Sequence, residues 1–183
     1  MIRSLVVSIL ALSGLSEGLV QKGTCRPVQL QENFTVSRYT GTWFQTAKDL
    51  NSPAENGYCA QARYSLSPDG NISATNSQFD NATVQSATGT VVCNGPACKL
   101  YVTGAPAGDY RVLATDYDNY AVIYSCTERP DNLKAQYVWF LTRERHPLPQ
   151  YIYEMVKAVT ERTDYPTDEL FWTYQGDACQ YIA

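Results

Sequence analysis

The chain has 183 residues, enough for one sizeable core, and its composition, 44% hydrophobic and 17% charged, is that of a globular domain. It is too apolar for a disordered chain and too often interrupted by polar residues for a membrane bundle. A formal net charge of −4, with no run of Lys or Arg, excludes the basic surface that nucleic acids require.

The opening stretch, MIRSLVVSILALSGLSEG, puts one Arg before an apolar segment and closes on the small residues Gly14, Ser16 and Gly18. That order predicts a secretory signal peptide over residues 1–18 and a single mature domain over 19–183. The apolar segment is shorter than the ~20 residues a bilayer span needs. No second long apolar run follows, so a soluble, extracellular product with no membrane span is expected.

Beyond the leader, short β-rich segments alternate with turn chemistry about every ten residues. Strands are predicted at 41–49, 59–67, 71–78, 83–92, 98–103, 110–116, 119–126 and 135–143, with SPDG, FDNA, NGPA, APAGD, YDN and ERPDN among the turns. In YVWFLTR, Tyr137, Trp139, Leu141 and Arg143 share one face, and Val138, Phe140 and Thr142 share the other. Both faces are largely apolar, so both must be covered. The predicted outer cover is a helix in LPQYIYEMVKAVTER, where Ile152, Met155, Val156 and Val159 recur at helical spacing. A last short strand is expected near LFWTY. Eight consecutive strands leave a sandwich or a closed antiparallel up-and-down barrel, and hairpin-length connections favour the barrel, which also removes exposed edges.

In an oxidising compartment the six cysteines read as three disulfides, and spacing alone favours one pair, Cys93–Cys98 across NGPA. No metal site is expected, because His146 is the only histidine and a zinc shell would have to take thiolates out of their bridges. Three Asn-x-Ser/Thr sequons, at Asn33, Asn71 and Asn81, lie in or beside polar turns, where N-linked glycans are expected. Catalysis is not expected. The chain has no Gly-x-Ser-x-Gly and no His-Glu-x-x-His, and His146 stands before Pro147, beyond the last barrel strand, a poor place for a general base or a haem ligand.

Three stretches in order, NFTVSRYTGTW, ATDYDNYAVIYSC and VWFLTRERHPLP, resemble the signature motifs of the lipocalin family, and with the late helix the likeness spans nearly the whole mature chain. The resemblance implies an eight-stranded antiparallel β-barrel with one C-terminal helix packed outside. It implies a closed end built from Gly41, Trp43, Thr115, Asp116, Tyr117 and Arg143, with Trp43 as a plug stacked on the Arg143 guanidinium. The rival reading of that end is a docking surface for a cell-surface receptor. The resemblance further implies disulfides Cys25–Cys126 and Cys59–Cys179, with Cys93–Cys98 as an addition to the usual pattern.

The implied function is the binding of a small hydrophobic ligand in the barrel, with no required cofactor. From Trp139 the alternation puts Tyr137 and Leu141 inward, and the family register adds Ala62, Tyr64, Ala74, Asn76, Ala87, Leu100, Val102, Tyr110 and Ile123. Small and aromatic walls with a few polar groups suit a fatty acid, retinoid, sterol or other lipid. A bound bilin or carotenoid pigment is the first alternative. The second is an interaction or inhibitor module with a filled barrel. The mouth is expected at LNSPAENGY, SQFDNAT, VTGAPAGD and TERPDNLK, and a monomer or weak homo-oligomer is expected in solution.

Overall fold

The structure, a computed structural model, describes residues 19–52, 57–80 and 83–182. The leader over residues 1–18 and the sequon residue Asn81 lie outside the described residues.

Eight strands form the barrel: Gly41–Asp49 (β2), Tyr58–Leu66 (β3), Ile72–Asp80 (β4), Thr83–Asn94 (β5), Ala97–Val102 (β6), Gly108–Thr115 (β7), Tyr120–Arg129 (β8) and Leu133–Thr142 (β9). Each pairs antiparallel with the next, and β9 returns to pair with β2, which closes the cylinder. The connections alternate ends, so the loops after β3, β5, β7 and β9 mark one end and those after β2, β4, β6 and β8 mark the other. All eight predicted strands are present, with ends shifted by up to three residues. The longer β5 and β8 bring the 94–97 and 129–133 turns in tight, as hairpin chemistry allows.

Two short strands lie outside the eight; one is the last strand expected near LFWTY, and the N-terminal one was not anticipated. Leu19–Lys22 (β1) pairs with the mouth half of β9, and Leu170–Trp172 (β10) pairs with the mouth half of β2. Both add a strand where the barrel seam opens, because β2 leaves β3 at Phe44 and leaves β9 at Lys48. A one-turn helix, Val36–Tyr39 (α1), precedes β2 and was also not anticipated.

The helix Pro149–Arg162 (α2) begins on a proline, whose missing N–H costs nothing at that position, and packs on β7 and β8. Among the described residues no helix is long and apolar enough to cross a membrane. Its Met155, Ala158 and Val159 bury against Leu113, Val122, Tyr124, Val138 and Phe140 on the outer wall. A second, separate core lies inside the barrel around Tyr39, Trp43, Tyr64, Ile72, Val91, Tyr110, Val112 and Ile123. The alternation of β8 and β9 therefore feeds two cores, one on each face.

All six cysteines are paired, Cys25–Cys126, Cys59–Cys179 and Cys93–Cys98. The first two link residues 101 and 120 positions apart, binding the N- and C-terminal segments to the barrel. The third joins directly opposed residues of β5 and β6.

Candidate functional site

At one end the barrel is shut by a polar lattice over an aromatic floor. Trp43 is fully buried on β2, and its indole N–H donates to the Tyr39 carbonyl at 2.9 Å. The guanidinium of Arg143, just past β9, lies 3.6 Å from the centre of the Trp43 ring. Its N–H groups donate to the carbonyls of Tyr117 at 2.9 Å, Thr42 at 2.8 Å and Thr40 at 2.8 Å. A planar fork can stack and donate in several directions at once, which an ammonium cannot. Burial lowers the Arg143 pKa from its usual value, against the opposing pull of Tyr39, Asp118 and Asp116.

Gly41 explains how the guanidinium fits. Its φ is +99°, and a Cβ there would stand 3.0 Å from an Arg143 nitrogen, so any side chain would meet both strain and a clash. The turn 115–120 completes the end. Thr115 Oγ1 donates to the Tyr120 carbonyl and accepts from the Tyr117 N–H, while Asp116 accepts from the N–H groups of Asn119 and Tyr120. The Tyr117 hydroxyl accepts from the Thr35 N–H, and the Arg38 guanidinium lies over the Tyr117 ring. The six residues of the closed-end motif thus meet in one cluster.

Above this floor the paired registers show which side chains share the inner face. One row runs Trp43, Ala62, Asn76, Ala87; the next runs Gly41, Tyr64, Ala74, Gly89, Val102. Gly89 is glycine for want of space, since a Cβ would lie 2.6 Å from the Tyr101 carbonyl oxygen. On the opposite wall Tyr110 faces Cys98, and Ile123 faces Trp139, with Tyr137 and Leu141 to either side. Exposure rises along the axis: Ala62, Tyr64, Ala74, Tyr110, Ile123 and Leu141 are buried, Asn76, Leu100, Val102, Tyr137 and Trp139 are half-buried, and Ala87 is exposed. The interior is therefore packed near the plug and open to solvent toward the mouth.

Two polar features stand out in this apolar wall. The hydroxyls of Tyr39, Tyr110 and Tyr64 form a chain, with oxygens 2.8 and 3.2 Å apart. Burial raises the Tyr39 and Tyr110 phenols well above their usual pKa, so both stay protonated and can hydrogen-bond as neutral groups. Higher up, the side-chain oxygen of Asn76 is buried and has no hydrogen-bond partner among the described residues. Buried polar atoms in native proteins are seldom left so. On the opposite wall the rings of Tyr137 and Trp139 stack 5.7 Å apart and 8° from parallel.

Sequence alternation missed several members of the inner wall. Tyr39 belongs to α1, a single turn that leaves no periodic signal. Lys48 sits on the Trp139 face because a bulge between Gln45 and Ala47 reverses the parity of β2 beyond it. It is 4% exposed, its ammonium donates to the carbonyls of Asp49 and Ser52, and it lies 5.6 Å from the Phe171 ring centre. An open depression of about 460 Å³ on the outer wall offers the hydroxyls of Ser73, Thr88, Thr90 and Tyr101. It lacks the enclosing apolar walls of the interior and does not compete as a lipophile site.

Comparison with known proteins agrees with this geometry. Residues 40–177 match the family model described as "Lipocalin / cytosolic fatty-acid binding protein family". Apolipoprotein D of Macaca fascicularis is 30% identical, covering 99% of this chain and 98% of its own. The bilin-binding protein of Pieris brassicae is also 30% identical, covering 75% of this chain and 77% of its own. The solved structure of insecticyanin from the tobacco hornworm Manduca sexta superposes with a TM-score of 0.77 at 24% identity, covering 90% of this chain and 93% of that one.

Proposed function

The chain belongs to the lipocalin / cytosolic fatty-acid binding protein family, and from that premise we propose that it is a secreted carrier that transports or sequesters a small hydrophobic molecule in its barrel. The carrying observation is the gradient along the inner wall, from a buried plug at Trp43 to solvent-accessible Ala87. A carrier needs such an asymmetry, because the ligand must enter at one end and stop at the other. Fatty acids, retinoids and sterols fit walls of Ala, Val, Leu and aromatic side chains, with Asn76 to meet one polar group. The wall supplies no thiol nucleophile, because all six cysteines are in disulfides. Those bridges suit export to an oxidising compartment, as does the leader MIRSLVVSILALSGLSEG. N-linked glycans at Asn33 and Asn71 would project near the closed end, away from the mouth.

The test is a titration of the secreted protein with a fluorescent fatty acid, a retinoid and a sterol, read by quenching of tryptophan emission. Saturable quenching that weakens in Trp139→Phe is expected. The absence of a saturable response to all three would overturn the carrier reading and leave a filled-barrel interaction module.

The parallel Tyr137–Trp139 pair favours a second reading, a bilin or carotenoid carrier, since a flat conjugated ligand can stack on it, and a relative is named for bilin binding. An absorption band beyond the aromatic region in protein from its natural source supports that reading. A colourless protein that nonetheless binds lipid removes it.

A further inference from the structure

Asp49 ends β2 on the outer face of the barrel and is completely buried. One carboxylate oxygen accepts from the Asn51 N–H at 3.2 Å and from the Tyr165 hydroxyl at 3.3 Å. The other accepts from the main-chain nitrogen of Leu19 at 3.1 Å. The adjacent Lys48 directs its ammonium to main-chain carbonyls, and among the described residues no Lys, Arg or His comes within ion-pair distance of the Asp49 carboxylate. A buried carboxylate whose hydrogen bonds come only from neutral donors, with the Lys48 charge acting on it from outside ion-pair distance, is an expensive arrangement. Burial raises the Asp49 carboxyl above its usual pKa, against the opposing effect of its hydrogen bonds and of the nearby Lys48 charge.

The Leu19 nitrogen is the one group at this carboxylate whose charge depends on processing. In a chain continuing from Gly18 it is a neutral amide. As a free terminus it is an ammonium, since α-amino groups titrate near pH 7.7–8.0, at about the upper edge of the physiological range. The residues before it, Ser16-Glu17-Gly18, place small side chains at the third and first positions ahead of Leu19, as signal-peptide cleavage requires. The strand that starts at this nitrogen, Leu19–Lys22, closes the open half of the β9 edge.

We propose that the leader is cut between Gly18 and Leu19 and that the new Leu19 ammonium forms an ion pair with the buried carboxylate of Asp49, locking β1 onto the barrel on maturation. This inference rests on the secretion reading above. The lock couples export to stability: the precursor offers the buried Asp49 a neutral amide, and the processed chain offers it a full charge at a partly buried contact.

The test begins with the N-terminal sequence and intact mass of the secreted, deglycosylated protein, expected to begin at Leu19. Four secreted proteins are then melted: the chain beginning at Leu19 and one retaining Glu17 and Gly18 ahead of it, each with Asp49 and with Asp49→Asn. With Asp49 the extended chain is expected to melt about 4 °C lower, and with Asp49→Asn that difference is expected to vanish. A mature chain that begins elsewhere overturns the processing site. A difference that persists in Asp49→Asn overturns the ion pair. If Asp49→Asn is not recovered folded, equal melting temperatures of the two Asp49 chains overturn it instead. Retention of the intact leader on a cell-associated protein would sink the secretion reading itself, an outcome the mass distinguishes from the others.

Discussion

The closed end and the middle of the barrel treat buried polar groups in opposite ways. Around Trp43 the Arg143 guanidinium reaches three carbonyls and an aromatic face. A little further along the same inner wall, the Asn76 oxygen is equally hidden and has no partner among the described residues. A satisfied network stabilises and specifies a packed end; an unsatisfied acceptor costs roughly 1–3 kcal/mol and persists where something outside the chain can meet it. One end of the barrel is packed and its polar groups are satisfied, and the exposure of the inner wall rises away from it.

That contrast can be broken at several points. The heaviest effect is expected from Cys59→Ser with Cys179→Ser, which releases a loop of 120 residues anchored beside the mouth. Chain-entropy arithmetic gives about 4–5 kcal/mol, read as a fall in the denaturant midpoint, against about 2 kcal/mol for opening the five-residue Cys93–Cys98 loop. Equal losses from the two would show that loop length is not what these bridges contribute.

Trp43→Ala should cost about 3–5 kcal/mol, as the truncation of a fully buried ring, and an unchanged melting curve would remove Trp43 from the role of plug. Arg143→Lys keeps the charge but loses the fork and the stacking, for which about 2 kcal/mol is expected. If lysine serves as well, the carbonyl lattice is incidental.

The smallest change in stability sharpens the comparison most. Asn76→Leu should leave the protein as stable as before or about 1 kcal/mol more so, because it removes an unpartnered oxygen from an apolar wall. The same variant should bind a lipophile bearing a hydroxyl several-fold more weakly while binding its hydrocarbon analogue unchanged. A matched loss for both ligands would mean that Asn76 acts only through the shape of the wall.

Much of the closed end could be read from residue order, because its members sit in contiguous motifs with distinctive chemistry. Gly41, Trp43 and the Thr115–Tyr117 turn are each recognisable where they stand, and Arg143 ends a strand whose alternation is plain. The inner wall was harder to read. The expected positions Ala62, Tyr64, Ala74 and Tyr110 lie in the interior cluster, but Lys48 faces inward only because the bulge after Gln45 adds a residue, and nothing local in FQTAK announces it. Tyr39 joins the barrel floor through a single helical turn, too short to show a period.

Sequence by itself determined the class of this protein. The spacing of short strands, the late amphipathic helix and the ordered Gly-x-Trp, Thr-Asp-Tyr and Arg motifs each report on neighbours a few residues away, and together they specify a closed barrel with one outer helix. Only the tertiary structure decided which buried groups are satisfied. The stacking of Arg143 on Trp43, the unpartnered oxygen of Asn76 and the approach of the Leu19 nitrogen to Asp49 join residues 100, 14 and 30 or more positions from their neighbours on the wall or seam. Such meetings depend on register, bulges and the closing of β9 onto β2, which no local pattern encodes.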